Sequence, residues 1–188
     1  LVVVEPDNGQ SEAINKGFRL SNGEYITWLN SDDFFSSPQS ISLIMSTFAL
    51  HPGVDFIYGN IFLYYENKNP TILKGQRYCF SEHFHLLEVP IPQQCSIFRK
   101  SIFENGIMLD SNYNFLLDRD FFLRISEKYN LLYVDSPLAC FRQHAGAKSS
   151  GFVSRWADEY LNLYNYYYSS ESPFKYLPPK RSTFTSLY

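Results

Sequence analysis

Between Glu24 and Asp33 an apolar run, Tyr25-Ile26-Thr27-Trp28-Leu29, gives way to Asn30 and Ser31 and then to two adjacent carboxylates, Asp32 and Asp33. Like charges side by side repel, so such a pair persists at the end of a buried strand where solvent or a cation offsets the cost. Hard carboxylate oxygens suit Mg²⁺ or Mn²⁺, which take few protein ligands and complete their shells from water and substrate phosphate. On the dipeptide alone a solvated turn is the simpler account, because Asn, Ser and Asp are ordinary turn residues.

The surroundings define the local plan. Upstream, Leu1-Val2-Val3-Val4-Glu5 reads as a continuous apolar strand of the buried parallel type. Pro6-Asp7-Asn8-Gly9 is a turn. Residues 11–20 read as a helix, with Ser11 as N-cap and Ala13, Ile14, Gly17, Phe18 and Leu20 on an apolar or small face. With a strand over 24–30 they make one βαβ unit. The chain opens on leucine, directly in an apolar strand, and so reads as a piece of a longer polypeptide.

Further elements follow from periodicity and punctuation. Residues 38–50 predict a helix, stopped by His51-Pro52-Gly53, and 55–65 a strand with a hairpin partner over 71–76. Residues 80–88 are a short helix candidate. Pro90 and Pro92 hold an extended approach to Gln93 and Gln94, followed by a strand over 95–99 and a helical turn over 101–105. A helix over 119–129, a strand over 131–142 interrupted at Ser136-Pro137, and a tyrosine-rich helix over 152–168 complete the order. The fold class expected is α/β, a Rossmann-like mixed and mainly parallel sheet flanked by helices. Residues 1–150 form its core and 151–188 a C-terminal helix and tail. Ligands of such sheets gather at the carboxyl ends of the strands, which places Asp7-Asn8-Gly9 beside Asn30-Ser31-Asp32-Asp33.

Composition narrows the function. A chain of 188 residues suits one domain with a sizeable core, and its 18% aromatic content is heavy. A net charge of -3 provides no basic field for nucleic acid. Cys79, Cys95 and Cys140 are an odd number without CxxC spacing, which fits reduced thiols and a cytoplasmic protein rather than a disulfide scaffold or a zinc site. No run of about 18 apolar residues offers a membrane span.

The stretch EPDNGQSEAINKGFRLSNGEYITWLNSDD resembles the core of the family 2 glycosyltransferases with the GT-A fold. Glu5, Pro6, Asp7, Gly9, Ala13, Asn15, Lys16, Gly17, Gly23, Leu29, Asn30, Asp32 and Asp33 fall in place, and Ser21 stands where the family often has alanine. Downstream, PQQCSIFRKSIFENGIMLDSNYNFLLDRDFFLRI is similar to the acceptor-side half, with Asp118 to Arg124 matching a D-x-[DE] segment that ends in arginine. PLACFRQHAGAKSS resembles the closing strand and loop. The likeness runs to about residue 150. The family's opening strand–helix–strand, which binds the nucleotide base, has no counterpart in the sequence, so the chain reads as N-terminally truncated.

The resemblance implies an inverting transfer of sugar from a nucleotide-diphosphate sugar, with a UDP-sugar the donor it points to. The acceptor would be a glycan or lipid-linked hydroxyl in surface polysaccharide synthesis, met in the cytoplasm or at the inner face of a membrane. Asp33 and Asp32 would hold Mn²⁺ or Mg²⁺, with His144 a further metal or diphosphate ligand. Asp118 would be the general base; the residue-level alternative is a helix N-cap. Asp7, Lys16, Asp32, Arg142, Lys148 and Ser149 would face the donor nucleotide and its phosphates. Gln93, Gln94 and Asp120 would face the acceptor, Asp120 having a plain first-turn alternative, and Arg124 reads as a structural ion-pair partner. The rival reading is a non-catalytic remnant or interaction module that keeps the fold. A nucleotidyltransferase is disfavoured by the lack of a Gly-rich basic phosphate loop.

Overall fold

The long apolar run over 56–65 becomes the centre of the sheet. In the computed structural model, which describes residues 2–66, 68–83, 89–144 and 153–168, strand β3 (Phe56–Tyr65) is buried on both faces along its first six residues. It pairs in parallel with β6 (Leu131–Gln143), and antiparallel with β5 (Ile97–Arg99) and β4 (Thr71–Leu73). Short β1 (Tyr25–Ile26) adds to β5, and β2 (Phe34–Phe35) adds to the far end of β6. The order is β1-β5-β3-β6-β2, with β4 beside β3. The α/β class and the mixed sheet match expectation. The parallel share is smaller than expected, because only β3 and β6 run together among the described strands.

Helices α1 (Gln10–Leu20), α2 (Gln39–Leu50), α3 (Phe80–His83), α4 (Lys100–Glu104), α5 (Leu117–Lys128) and α6 (Val153–Tyr168) flank the sheet. The aromatic content is used in the core. Phe18 of α1 meets Phe98 edge-on at 5.5 Å, and Phe122 of α5 meets Phe56 edge-on at 5.3 Å, with Trp28 and Phe121 between them. Edge-to-face ring pairs of this kind add to area burial. Leu163 and Tyr167 of α6 are fully buried in the same core.

Three local expectations are corrected. Residues 2–5 form no strand, and Val2 and Val4 are 88% and 93% exposed. An apolar run becomes a strand only where a neighbour offers ladder partners, and no described strand offers them here. Thus the βαβ unit is absent among the described residues. The N-cap of α1 is Gly9, not Ser11; its φ of 129° lies where only glycine is at ease. Strand β6 is not broken at Ser136-Pro137. It continues through a shift in its pairing with β3, where Asn60 stands opposite Pro137. A proline lacking N–H is tolerated where the ladder is already irregular. At this shift a Cβ on Gly59 would lie 2.8 Å from Ser136 O and 2.9 Å from Val134 O, so the close approach of the two strands requires glycine.

Candidate active site

The site starts where β1 ends. Beyond Ile26 the chain has no ladder partner, and Gln93 substitutes for one: its Nε2 donates to Trp28 O at 2.7 Å. Asn30 then collects three contacts. Its Nδ2 donates to Asp33 Oδ2 at 3.0 Å and to Gln93 Oε1 at 3.3 Å, and its Oδ1 accepts from Gln10 Nε2 at 3.2 Å. Asp33 N–H closes a turn onto Asn30 O at 3.1 Å. The chain next enters β2, whose Phe34 pairs with Cys140. That register brings the end of β6 to the aspartates, and His144 Nε2 lies 3.0 Å from Asp32 Oδ2.

The two aspartates differ in environment. Asp32 is partly exposed and tied to His144. Asp33 is buried, and its Oδ1 makes no hydrogen bond among the described residues. Burial pushes the Asp33 carboxyl up from its ordinary value and the neighbouring Asp32 adds to the rise, while Asn30, the Arg142 backbone and Gln94 pull it down. A buried carboxylate oxygen without a donor is costly unless something fills the position. Among the described residues no group of three or more His, Cys, Asp or Glu side chains is placed to cage a metal. One or two carboxylates, with the remaining shell from phosphate and water, is nevertheless the donor set Mg²⁺ ordinarily uses. Asp33 and Asp32 fit that kind of site.

A cleft of about 560 Å³ opens beside this cluster. Gln10, Asn30, Asp32, Gln93 and Gln94 line one part, and Asp118, Phe115 and Trp156 another. Asp118 belongs to the first turn of α5, not to its N-cap, which is Leu116. Its Oδ1 accepts from Arg119 N–H at 2.8 Å. Nothing in the sequence pattern drew attention to Trp156; its ring packs on Phe115 at 5.8 Å. Gln10 carried no sequence signal either, and Asn30, matched to the family segment, had no role assigned from the sequence.

Other residues named from the sequence lie elsewhere. Asp7 and Lys16 line a separate cleft of about 400 Å³, with Val3, Glu5, Ala13 and Gly17. Asp7 Oδ1 accepts from Gly9 N–H at 3.0 Å, the contact of a turn-forming aspartate, and Lys16 Nζ pairs with Glu5 at 2.8 Å. Arg142 is exposed over the Phe34 ring at 5.6 Å. Lys148 and Ser149 lie outside the described residues.

Asp120 does not face the cleft, which corrects its acceptor role. It is 2% exposed and takes Arg124 Nε at 3.0 Å and Nη2 on Oδ2, while Nη2 also reaches Met108 O at 2.7 Å. Helical spacing explains it: with Asp118 on the open face of α5, position 120 turns inward, and position 124 comes round beneath it. Burial pushes the Asp120 carboxyl up from its ordinary value while Arg124 pulls the other way.

Residues 1–124 match glycosyl transferase family 2, and the chain belongs to that family. Among solved structures it is similar to S. aureus TarS 1-349, with a TM-score of 0.55 and 14% sequence identity over 72% of this chain. At that identity the likeness is one of fold. The chain spans 40% of the length of the TarS structure. No curated protein sequence matches it. No helix among the described residues is long and apolar enough to cross a membrane.

Proposed function

We propose that this chain carries the site of an inverting glycosyltransferase, moving sugar from a nucleotide-diphosphate donor, a UDP-sugar, to a glycan or lipid-linked hydroxyl. The observation that carries the reading is the sharing of one cleft by Asp32, at the end of the β1 segment, and Asp118, on the first turn of α5. Family membership supports the reaction class.

Asp118 is the general base. It takes the proton of the acceptor hydroxyl as that oxygen attacks the anomeric carbon, and the bond to the diphosphate breaks with its electron pair leaving on phosphate. Attack opposite the leaving group inverts the anomeric centre. Asp33 and Asp32 would hold Mn²⁺ or Mg²⁺, His144 beside them, and the ion would neutralise charge on the departing diphosphate. Asn30 orients Asp33 by its bond to Oδ2, and Asp33 would offer its other oxygen to the ion. Gln94 presents a neutral amide to sugar hydroxyls, and Gln93 fixes the Trp28 backbone. Phe115 and Trp156 supply a wall of aromatic faces for the acceptor. Arg142, Lys148 and Ser149 stand as phosphate contacts, and Asp7 and Lys16 as contacts toward the nucleotide. A cytoplasmic site of action, at a membrane face for a lipid-linked acceptor, goes with this reading.

The experiment is Mn²⁺-dependent release of UDP from a set of UDP-sugars, by the wild type and by Asp118→Asn. Release that the variant loses supports the proposal; equal release by both contradicts it.

A further inference from the structure

Three consecutive backbone amides just ahead of α5 converge on one side chain. Asn114 N–H donates to Glu159 Oε1 at 3.0 Å, and Phe115 and Leu116 N–H donate to Oε2 at 2.8 Å and 2.9 Å. These groups lie at the positive end of the helix, where intrahelical acceptors are lacking. Helix α1 meets the same need locally, for Glu12 of its first turn takes the Asn8 N–H at 2.7 Å. Helix α5 also has carboxylates in its first turn, Asp118 and Asp120, yet the acceptor comes from α6 instead.

The stretch over 107–116 is held from both sides. Asn15 of α1 exchanges hydrogen bonds with Leu109, Nδ2 to O at 2.8 Å and N–H to Oδ1 at 3.0 Å. On the other side, one turn of α6 supplies Trp156 against Phe115, Glu159 on the amides, and Tyr160 under the Arg119 guanidinium at 5.9 Å. Arg119 immediately follows Asp118, so these contacts bracket the cleft-lining carboxylate. Buried Leu163 and Tyr167 anchor α6 one and two turns further on.

We infer that Glu159 is a positioning residue for Asp118. By satisfying the amides from outside, it fixes the start of α5 and keeps the Asp118 carboxylate turned to the cleft. Without it, three amides lose their acceptor and the start of α5, which carries Asp118, is no longer pinned by α6. Asp118, whose Oδ1 already accepts from Arg119 N–H, then loses the fixed turn that holds its rotamer toward the cleft. The inference rests on the reading of Asp118 as the base.

The test compares Glu159→Ala, Glu159→Asp and Glu159→Gln with wild type and Asp118→Asn. Turnover is read as UDP release with UDP-glucose, UDP-galactose or UDP-N-acetylglucosamine, whichever donor is fastest. The Ala variant should lose about a hundredfold in kcat, the scale of a catalytic group displaced by an ångström, with donor KM unchanged. Gln retains an acceptor oxygen and should restore most of the rate; Asp, a methylene short, should fall between. A second readout is independent of turnover: the χ1 angle of Asp118 from NMR three-bond couplings. One rotamer in wild type and the Gln variant, changed or averaged in Ala, is expected. An unchanged rotamer in Ala, or a kcat loss matched by loss of donor binding, overturns the inference. Should Ala not fold, the Asp variant is read in the same way. Wild-type turnover by Asp118→Asn would refute the base itself, whereas full turnover by Glu159→Ala beside an inactive Asp118→Asn would refute positioning alone.

Discussion

Asn30 Nδ2 donates to Asp33 Oδ2 at 3.0 Å, while the other oxygen of that carboxylate is buried without a hydrogen bond among the described residues. One oxygen is thus oriented, the Arg142 backbone and Gln94 also draw on the carboxyl, and the other oxygen is the one the proposed ion would take. The arrangement has a cost in the protein alone. Burial raises the Asp33 pKa in the folded state. A carboxyl that binds its proton more tightly when folded weighs against folding once pH rises through its unfolded value, about 4.

Asp33→Asn should therefore raise the melting temperature at neutral pH in the absence of divalent ions. The gain should shrink as pH falls toward 4 and wild-type Asp33 takes up its proton, the unfolded carboxyl titrating at about that value. Thermal melts between acidic and neutral pH check this; a lower melting temperature at neutral pH would mean the carboxylate is satisfied in the folded protein. Stability gained by removing a strained functional group is a common trade.

Asp118→Asn keeps shape and hydrogen bonding but takes no proton. It should lower kcat by about 10²- to 10⁴-fold, the range for a general base, without changing UDP affinity. Steady-state kinetics beside calorimetry separates the two effects.

Arg124 and Asp120 should behave as a structural pair. Arg124→Met strands a carboxylate that is 2% exposed and should cost roughly 3–5 kcal/mol of unfolding free energy. The penalty should ease at low pH, where Asp120 becomes neutral. Adding Asp120→Asn should recover part of the loss. Chemical denaturation of the single and double variants measures both.

Trp156→Ala should raise the acceptor KM about tenfold, equivalent to about 1.4 kcal/mol, and leave UDP affinity unchanged. Equal losses for donor and acceptor would place the ring outside the acceptor site.

Much of this arrangement was legible in the sequence because it is local. The α2 boundary, the β3–β4 hairpin and the paired aspartates after an apolar run are set by periodicity and punctuation within a few residues. What was illegible depended on partners. The run Val2-Val3-Val4 has strand composition, but a strand needs a neighbour, and the described sheet gives it none. Asp118 and Asp120 look alike in sequence; only the rotation of α5 sends one to the cleft and the other to Arg124. Trp156 and Glu159 reach the site across more than forty residues of chain, through packing of α6 that no short motif encodes.

The most direct measurement is calorimetric titration of UDP into the protein, with and without Mn²⁺, for wild type and Asp33→Asn. Binding that needs Mn²⁺ and is lost in the variant is expected. Equal binding with and without the ion, or binding the variant retains, would contradict the assignment of the paired aspartates, and no binding by the wild type would favour a fold kept without turnover.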